Sequence, residues 1–431
     1  MLYHAYELNH AVVSPMRHWV DLGRMVMESP LNPAAYTTMG KSVAAALDLF
    51  ESATRRYGKP DWEITETSIN SYPVPITPRS VYSKPFCDVI HFKRDDDALH
   101  EAHGKTPTEP RVLLVAPLSG HYATLLRNTV QAFVADHEVY VTDWADARNV
   151  PYADGRFDLN TYIDYLIDMF EFLGPDINVI AICQPGPAVL SATALMSAAK
   201  SESLPATMTI MGSPIDTRCS PTVPNQLAEQ KSYSWFKENM IYSVPWPNKG
   251  VMRKVYPGFI QLSGFISMNK DRHISAQWDY FQHLVKGDCD STQKHRRFYD
   301  EYLSVLDLTE EFYLQTIVDV FQEHKLPRGI FKHHGELVDP GAITKVALMT
   351  VEGELDDISG IGQTQAAHSL CKNIPESMHY DYIQAGVGHY GVFSGTRFRT
   401  EIRPRICDFI NNYFNKKKEV ALKKKKPELF V

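Results

Sequence analysis

Apolar runs of strand length recur along this chain, separated by stretches whose apolar residues are spaced as on helices. Arg111–Ala116 (RVLLVA), His137–Thr142 (HEVYVT), Ile177–Ile182 (INVIAI), Ala206–Met211 and Lys345–Val351 (KVALMTV) are such runs, and Met378–Ile383 (MHYDYI) reads as one more. Thr124–Ala135 and Pro187–Lys200 have helix-forming composition between them. Strand–helix alternation of this kind predicts a mostly parallel sheet with helices on both faces. Trp62–Ile69 and Phe86–Lys93 alternate in strand fashion and predict an antiparallel start to that sheet, and Asp95–Pro110 reads as a loop.

The pattern changes at the two ends and in the middle. Residues 1–60 read as an N-terminal extension, with a helix over Ala44–Tyr57 ended by Gly58-Lys59-Pro60. Residues 61–217 carry the first part of the α/β core and 339–415 the second. Between them, 218–338 lose their strand signals. Aromatic-rich helices are expected over Gln226–Tyr242, His273–Val285, Lys294–Val305 and Glu310–His324. An all-helical insertion at this point predicts a cap over an active site. Its proline-containing pieces, VPWP around Trp246 and VYPGF around Tyr256, are poor core material and are candidates for a channel wall. Residues 416–431 form a tail with seven lysines and two glutamates, either a solvated end or a contact for an anionic surface.

Composition narrows the function classes. The chain has 431 residues, 44% hydrophobic and 22% charged, ordinary for a globular protein with a large core. Its net charge of −7 gives no global signature for nucleic acid. No apolar run reaches membrane-span length, and no secretory signal is visible at the N-terminus. The six cysteines are scattered without a CxxC pair, which argues against zinc and disulfide frameworks and suits a cytoplasmic setting. Of the seventeen histidines only His333-His334 are adjacent, with no carboxylate or cysteine at ligand spacing; the pair reads as surface.

Candidate chemistry sits where strands end. Cys183 follows the 177–182 run and precedes a helix of small residues, so it occupies the sharp strand–helix turn on which α/β-hydrolases present their nucleophile. Against the usual G-x-S-x-G, Ala181 replaces the first glycine, Cys183 the serine and Pro185 the second glycine. Asp356, just past the 345–351 strand, is the candidate acid, with Asp357 the alternative. His389, bracketed by Gly388 and Gly391, follows the last strand. Nucleophile, acid, histidine is the α/β-hydrolase order. Oxyanion donors are expected from the backbone N–H of Gln184 and from Leu118 or Ser119 in the loop after the 111–116 strand.

Seven stretches carry a resemblance beyond that general plan: AICQPGPAVLSATALM, MGSPIDTR, VYPGFIQLSGF, KHRRFYDEYL, EFYLQTI, TVEGELDDISGIGQT and GVGHYGVFSG. Together they resemble the intracellular poly(3-hydroxybutyrate) depolymerases over nearly the whole chain. That family has an α/β-hydrolase fold, here expected with a helical cap and an N-terminal helical extension. The resemblance implies Cys183 as nucleophile, Asp356 as acid and His389 as base. The implied substrate is the amorphous polyester of storage granules, met in the cytoplasm at the granule surface. No cofactor is expected, although coenzyme A is a chemically reasonable acyl acceptor; a homodimer stays open. A polyester synthase-like acyltransferase and a non-catalytic granule scaffold are the alternative readings.

Overall fold

The computed structural model describes residues 2–104, 108–268 and 270–425. The lysine tail enters it only as backbone, in a helix over Arg403–Lys425; its side chains lie outside the described residues.

A nine-stranded sheet forms the centre. Its strands are β1 (Glu66–Ile69), β2 (Tyr72–Lys84), β3 (Cys87–Arg94), β4 (Arg111–Val115), β5 (Glu138–Trp144), β6 (Asn178–Ile182), β7 (Thr207–Met211), β8 (Ala347–Gly353) and β9 (His379–Gln384). They lie in the order β1-β2-β3-β5-β4-β6-β7-β8-β9. Pairing is antiparallel from β1 to β5 and parallel from β5 to β9. From β2 onward this is the α/β-hydrolase order, with the fourth strand of the series placed ahead of the third. Every residue of β6, β7 and β8 is buried, as expected of central strands covered by helices on both faces.

The expected antiparallel start is present, but the long β2 between its two strands was not legible. Pro73, Pro75 and Pro78 interrupt its pattern, although the strand pairs on both sides.

The helices that matter for the site are α1 (Leu2–Glu28), α2 (Thr38–Thr54), α3 (Gly186–Ala198), α4 (Gly258–Met268), α5 (Lys270–Lys286) and α6 (Glu310–Thr316). The extension thus holds two helices where one was expected. α3 is apolar on all sides and almost wholly buried, which marks a helix inside the molecule rather than on its surface.

The segment between β7 and β8 is mainly helical, but it is not strand-free. Tyr242-Ser243, Lys254–Tyr256 and Leu308-Thr309 form a small antiparallel sheet, too short to register as hydrophobic alternation. The stretch expected as one helix over 226–242 is two, Val223–Gln230 and Tyr233–Met240, parted where Ser232 caps the second. The segment is fastened to the core by buried polar contacts. Arg253 donates to the carbonyls of Val150, Pro151 and Gly155. Asp146 accepts from Tyr122 Oη (3.1 Å), Arg148 Nε (2.6 Å) and the Asp307 N–H (3.1 Å). Tyr3 Oη donates to Asp307, which ties α1 into the same cluster. Burial, then the neighbouring Asp146 charge, push the Asp307 carboxyl up to about 7.

α3 lies close on β7. A Cβ at Gly186 would sit 2.5 Å from Ser213 Cβ and 2.9 Å from Ile210 Cγ2. Gly186→Ala is therefore expected to lower unfolding free energy by about 1–3 kcal/mol through overpacking, read from urea melts.

Candidate active site

Cys183 follows β6 and has φ +67°, a left-handed conformation that costs a residue with a Cβ free energy. Both of its backbone polar groups are held. The N–H donates to Met211 O (2.8 Å), and the carbonyl accepts from Ser213 Oγ (2.5 Å). The strain at the turn is therefore offset by bonds to the end of β7 and to Ser213 just beyond it. The thiol stands at the start of α3, where helix N–H groups favour a negative charge.

The loops after β8 and β9 are bonded to each other past the last strand pair. Glu354 N–H donates to Gln384 O (3.0 Å), Leu355 N–H to Val387 O (2.9 Å), and Gly386 N–H to Glu354 Oε2 (2.7 Å). This brings His389 to Asp356, with Nδ1 2.8 Å from Oδ2. Asp356 Oδ1 is held by the N–H groups of Ile358 (2.9 Å) and Ser359 (2.8 Å), so its other oxygen is left for the histidine. Asp357 is exposed, whereas Asp356 is buried. Gly212 (φ +52°) lets the pair approach the sheet: a Cβ there would stand 3.3 Å from both Asp356 Oδ2 and His389 Cε1.

His389 is buried, and burial alone would lower its pKa. The Cys183 charge, the hydrogen bond to Asp356 and the hydrogen bond to Cys183 outweigh burial and raise it well above the ordinary histidine value. The Asp356–His389 pair and the Cys183 thiol are thus brought to one place at the ends of neighbouring strands.

Cys183 and His389 face a cavity of about 410 Å³ with a mainly apolar wall. Leu118, Phe265, Phe312, Tyr313, Tyr390 and Phe393 are among its lining residues. Tyr256 therefore reaches the cavity, as expected of the VYPGF piece, and so does Phe265 of α4. Trp246 does not; it is 81% exposed on the outside of the molecule. A larger cleft of about 900 Å³ contains neither Cys183 nor His389. Its charged walls, among them Lys59, Lys84, Asp143 and Arg148, are already ion-paired, so it does not compete as the reactive site.

Leu118, Ser119 and Gln184 all line the cavity beside Cys183. The Leu118 N–H is engaged by the Gln184 side chain, whose Oε1 accepts from it at 3.2 Å. Three features escaped the sequence reading. One is that Gln184 contact, which depends on tertiary proximity. The second is His121, a cavity residue bonded to Tyr302 O (3.1 Å) and pushed down to about 4 by burial, hence neutral. The third is Glu352, fully buried, whose carboxylate accepts from the N–H groups of Gly362 (2.8 Å), Thr364 (2.7 Å) and Gln365 (3.1 Å) and so holds the loop beyond Asp356. An acid closing an otherwise apolar strand was the available signal for it. The His333-His334 pair is less superficial than expected. His333 is mostly buried, and Asp164 lies 2.9 Å from His333 and 2.8 Å from His334.

Residues 212–414 match the family model described as PHB de-polymerase C-terminus. No curated protein matches the chain. Among solved structures, a putative lipase from Acinetobacter baumannii is 11% identical with a TM-score of 0.40, covering 78% of this chain and 93% of its own. A monoacylglycerol lipase from Paleococcus ferrophilus is 12% identical with a TM-score of 0.42, covering 71% and 96%. The thioesterase domain from the curacin biosynthetic pathway is 8% identical with a TM-score of 0.40, covering 78% and 99%. The fold assignment itself rests on the strand order and the turn at Cys183. The matched segment, which holds Asp356 and His389, is thus similar to the C-terminal domain of PHB depolymerases, and the chain is a carboxylic ester hydrolase of α/β-hydrolase fold.

Proposed function

We propose that this enzyme cleaves amorphous poly(3-hydroxybutyrate) at the granule surface in the cytoplasm, with Cys183 as nucleophile, His389 as base and Asp356 as the residue that orients it. The observation that carries this reading is the Asp356–His389 hydrogen bond at the wall of an apolar cavity that Cys183 also lines.

His389 takes the Cys183 proton, or already holds it in an imidazolium–thiolate pair, and Asp356 fixes its tautomer and stabilises the imidazolium. The sulfur attacks an ester carbonyl, and the negative charge moves to its oxygen. The Gln184 N–H and the 117–120 loop donate to that oxygen. Gln184 Oε1 gives up its hold on the Leu118 N–H as the substrate oxygen arrives. Each such donor is worth about 3 kcal/mol in the transition state. The leaving alcohol takes the proton from His389, and a 3-hydroxybutyryl thioester remains on Cys183. Water, activated by the same histidine, attacks the thioester, releases the acid and returns the proton to sulfur. Coenzyme A in place of water would give an acyl-CoA, which product analysis distinguishes. In this reading, residues 218–338 act as a cap that narrows the entrance to one polymer strand.

Cys183→Ala is expected to abolish ester cleavage while the far-UV circular dichroism stays that of the parent. Iodoacetamide should inactivate the parent in step with alkylation of that one thiol; full activity with Cys183 modified contradicts the assignment. Asp356→Asn should lower kcat/KM on the order of 10³–10⁴-fold, and Asp357→Asn should leave it near the parent value.

The His389 proton gives a second readout. Its folded pKa is raised, so the stability it contributes is fully present below about pH 6.5 and is lost as pH rises through the higher folded value. Nitrogen-15 NMR should find the ring protonated well above that pH in the parent. Titration at the ordinary histidine value would show that Asp356 and Cys183 do not raise it.

The covered site also predicts a preference for the physical state of the polymer. A strand must leave its bulk phase to reach Cys183. In a crystalline solid it first gives up lattice contacts of about 0.1–0.2 kcal/mol per atom pair, many per monomer. Native amorphous granules should be hydrolysed and solvent-extracted crystalline polymer hardly at all, in parallel turbidity and product assays. Comparable rates on both would mean that the site is open to a flat surface.

A further inference from the structure

The N-terminal helix carries an apolar face on its outside as well. Over its 27 residues, α1 turns Glu7, Arg17 and Arg24 toward the protein beside Tyr3 and Tyr6. Glu7 pairs with Arg56, Arg17 donates to Thr54 O, and Arg24 bonds Asp48 at 3.1 Å on α2. Its opposite face carries Leu8, Val12, Met16, Trp19, Leu22 and Val26, at the three- and four-residue steps that line one side of a helix. These side chains are open to solvent: Leu8 is 65%, Val12 61% and Trp19 74% exposed. Single exposed apolar residues are ordinary, but an unbroken apolar stripe along a whole helix marks a contact surface.

We propose that this stripe is a docking surface for the bulk polyester phase, separate from the site that cuts it. The inference rests on the polyester reading above. Charge selects the occupant. Helices that lie on anionic membranes carry Lys and Arg around the apolar face, whereas among the exposed residues of α1 only the terminal Glu28 has a formal charge. The stripe therefore matches an apolar surface without charged headgroups. Area argues against a second copy of the chain: about 40 Å of helix, 10 Å wide, offers on the order of 400 Å². A stable dimer needs about 800 Å² per partner.

The inner face of the same helix reaches the cap. Tyr6 stacks on Phe259 with ring centroids 4.2 Å apart and planes 11° apart. Phe259 belongs to α4, whose Gln261, Gly264 and Phe265 line the cavity. A helix docked on polymer would thus hold the cap next to its substrate.

The test uses the full chain with Cys183→Ala, so that particles are bound and not consumed, with and without the pair Leu8→Asp and Trp19→Asp. Co-sedimentation with amorphous poly(3-hydroxybutyrate) particles should weaken at least about tenfold in the doubly substituted protein, at low and raised salt alike. In the Cys183-intact background the same pair should leave turnover of a short soluble ester unchanged, which also shows that the protein is folded. Undiminished particle binding overturns the proposal. So does tighter binding to phosphatidylglycerol vesicles than to polyester, or a parent dimer that the substitutions split. Absence of soluble-ester turnover in the parent would count against the hydrolase reading and leave the binding comparison to be judged on its own.

Discussion

The site depends on one tie, the backbone hydrogen bonds that join the loops after β8 and β9 once the strands have stopped pairing. Glu354 N–H to Gln384 O and Leu355 N–H to Val387 O extend the parallel ladder into segments that carry side chains of opposite charge. An acid on one loop and a histidine on the other are thereby held at hydrogen-bond distance inside a dry region. A Cβ at Gly353 would lie 2.8 Å from Val387 O, so the closeness of the two loops is itself a reason for glycine at the end of β8. Without this tie, Asp356 would be a turn acid and His389 a loop histidine.

The same edge of the sheet supplies the third member. β7 and Ser213 just beyond it bond the two backbone groups of Cys183 and stabilise a left-handed conformation that would otherwise be unfavourable there. Gly186 and Gly212 remove the Cβ atoms that would push α3 and the His389 ring away. The chemistry is therefore set by backbone geometry at strand ends, and the apolar cavity governs what may reach it. Burial acts in two directions on the histidines here. His121, with no charge partner, is pushed down by burial, whereas His389, beside a carboxylate and a thiol, is raised despite it.

Much of this was legible because strands buried on both faces are uninterrupted apolar runs, and the residues that follow them are the ones the fold puts at its working edge. Asp356, just past β8, and His389, on the loop after β9, could be read in this way. The choice between Asp356 and Asp357 could not, because it turns on an Asx-type turn in which Ile358 and Ser359 bond one carboxylate oxygen. β2 was hidden by its prolines, and the small sheet within 218–338 by its brevity. α1 was hidden for another reason: apolar residues lie on its outer face as well as its inner one, so its burial cannot be inferred from hydropathy. Contacts such as that of Gln184 with the Leu118 N–H join residues distant in sequence and leave no local trace.

The central claim is that bond cleavage passes through an acyl group on Cys183. The most direct measurement is mass spectrometry of enzyme quenched in acid during turnover of a 3-hydroxybutyrate oligomer, followed by peptide mapping. The account predicts a 3-hydroxybutyryl adduct on the Cys183 peptide, released by hydroxylamine as a thioester should be. An adduct on another residue, or steady turnover with Cys183 unmodified under conditions where deacylation is slow, would contradict it.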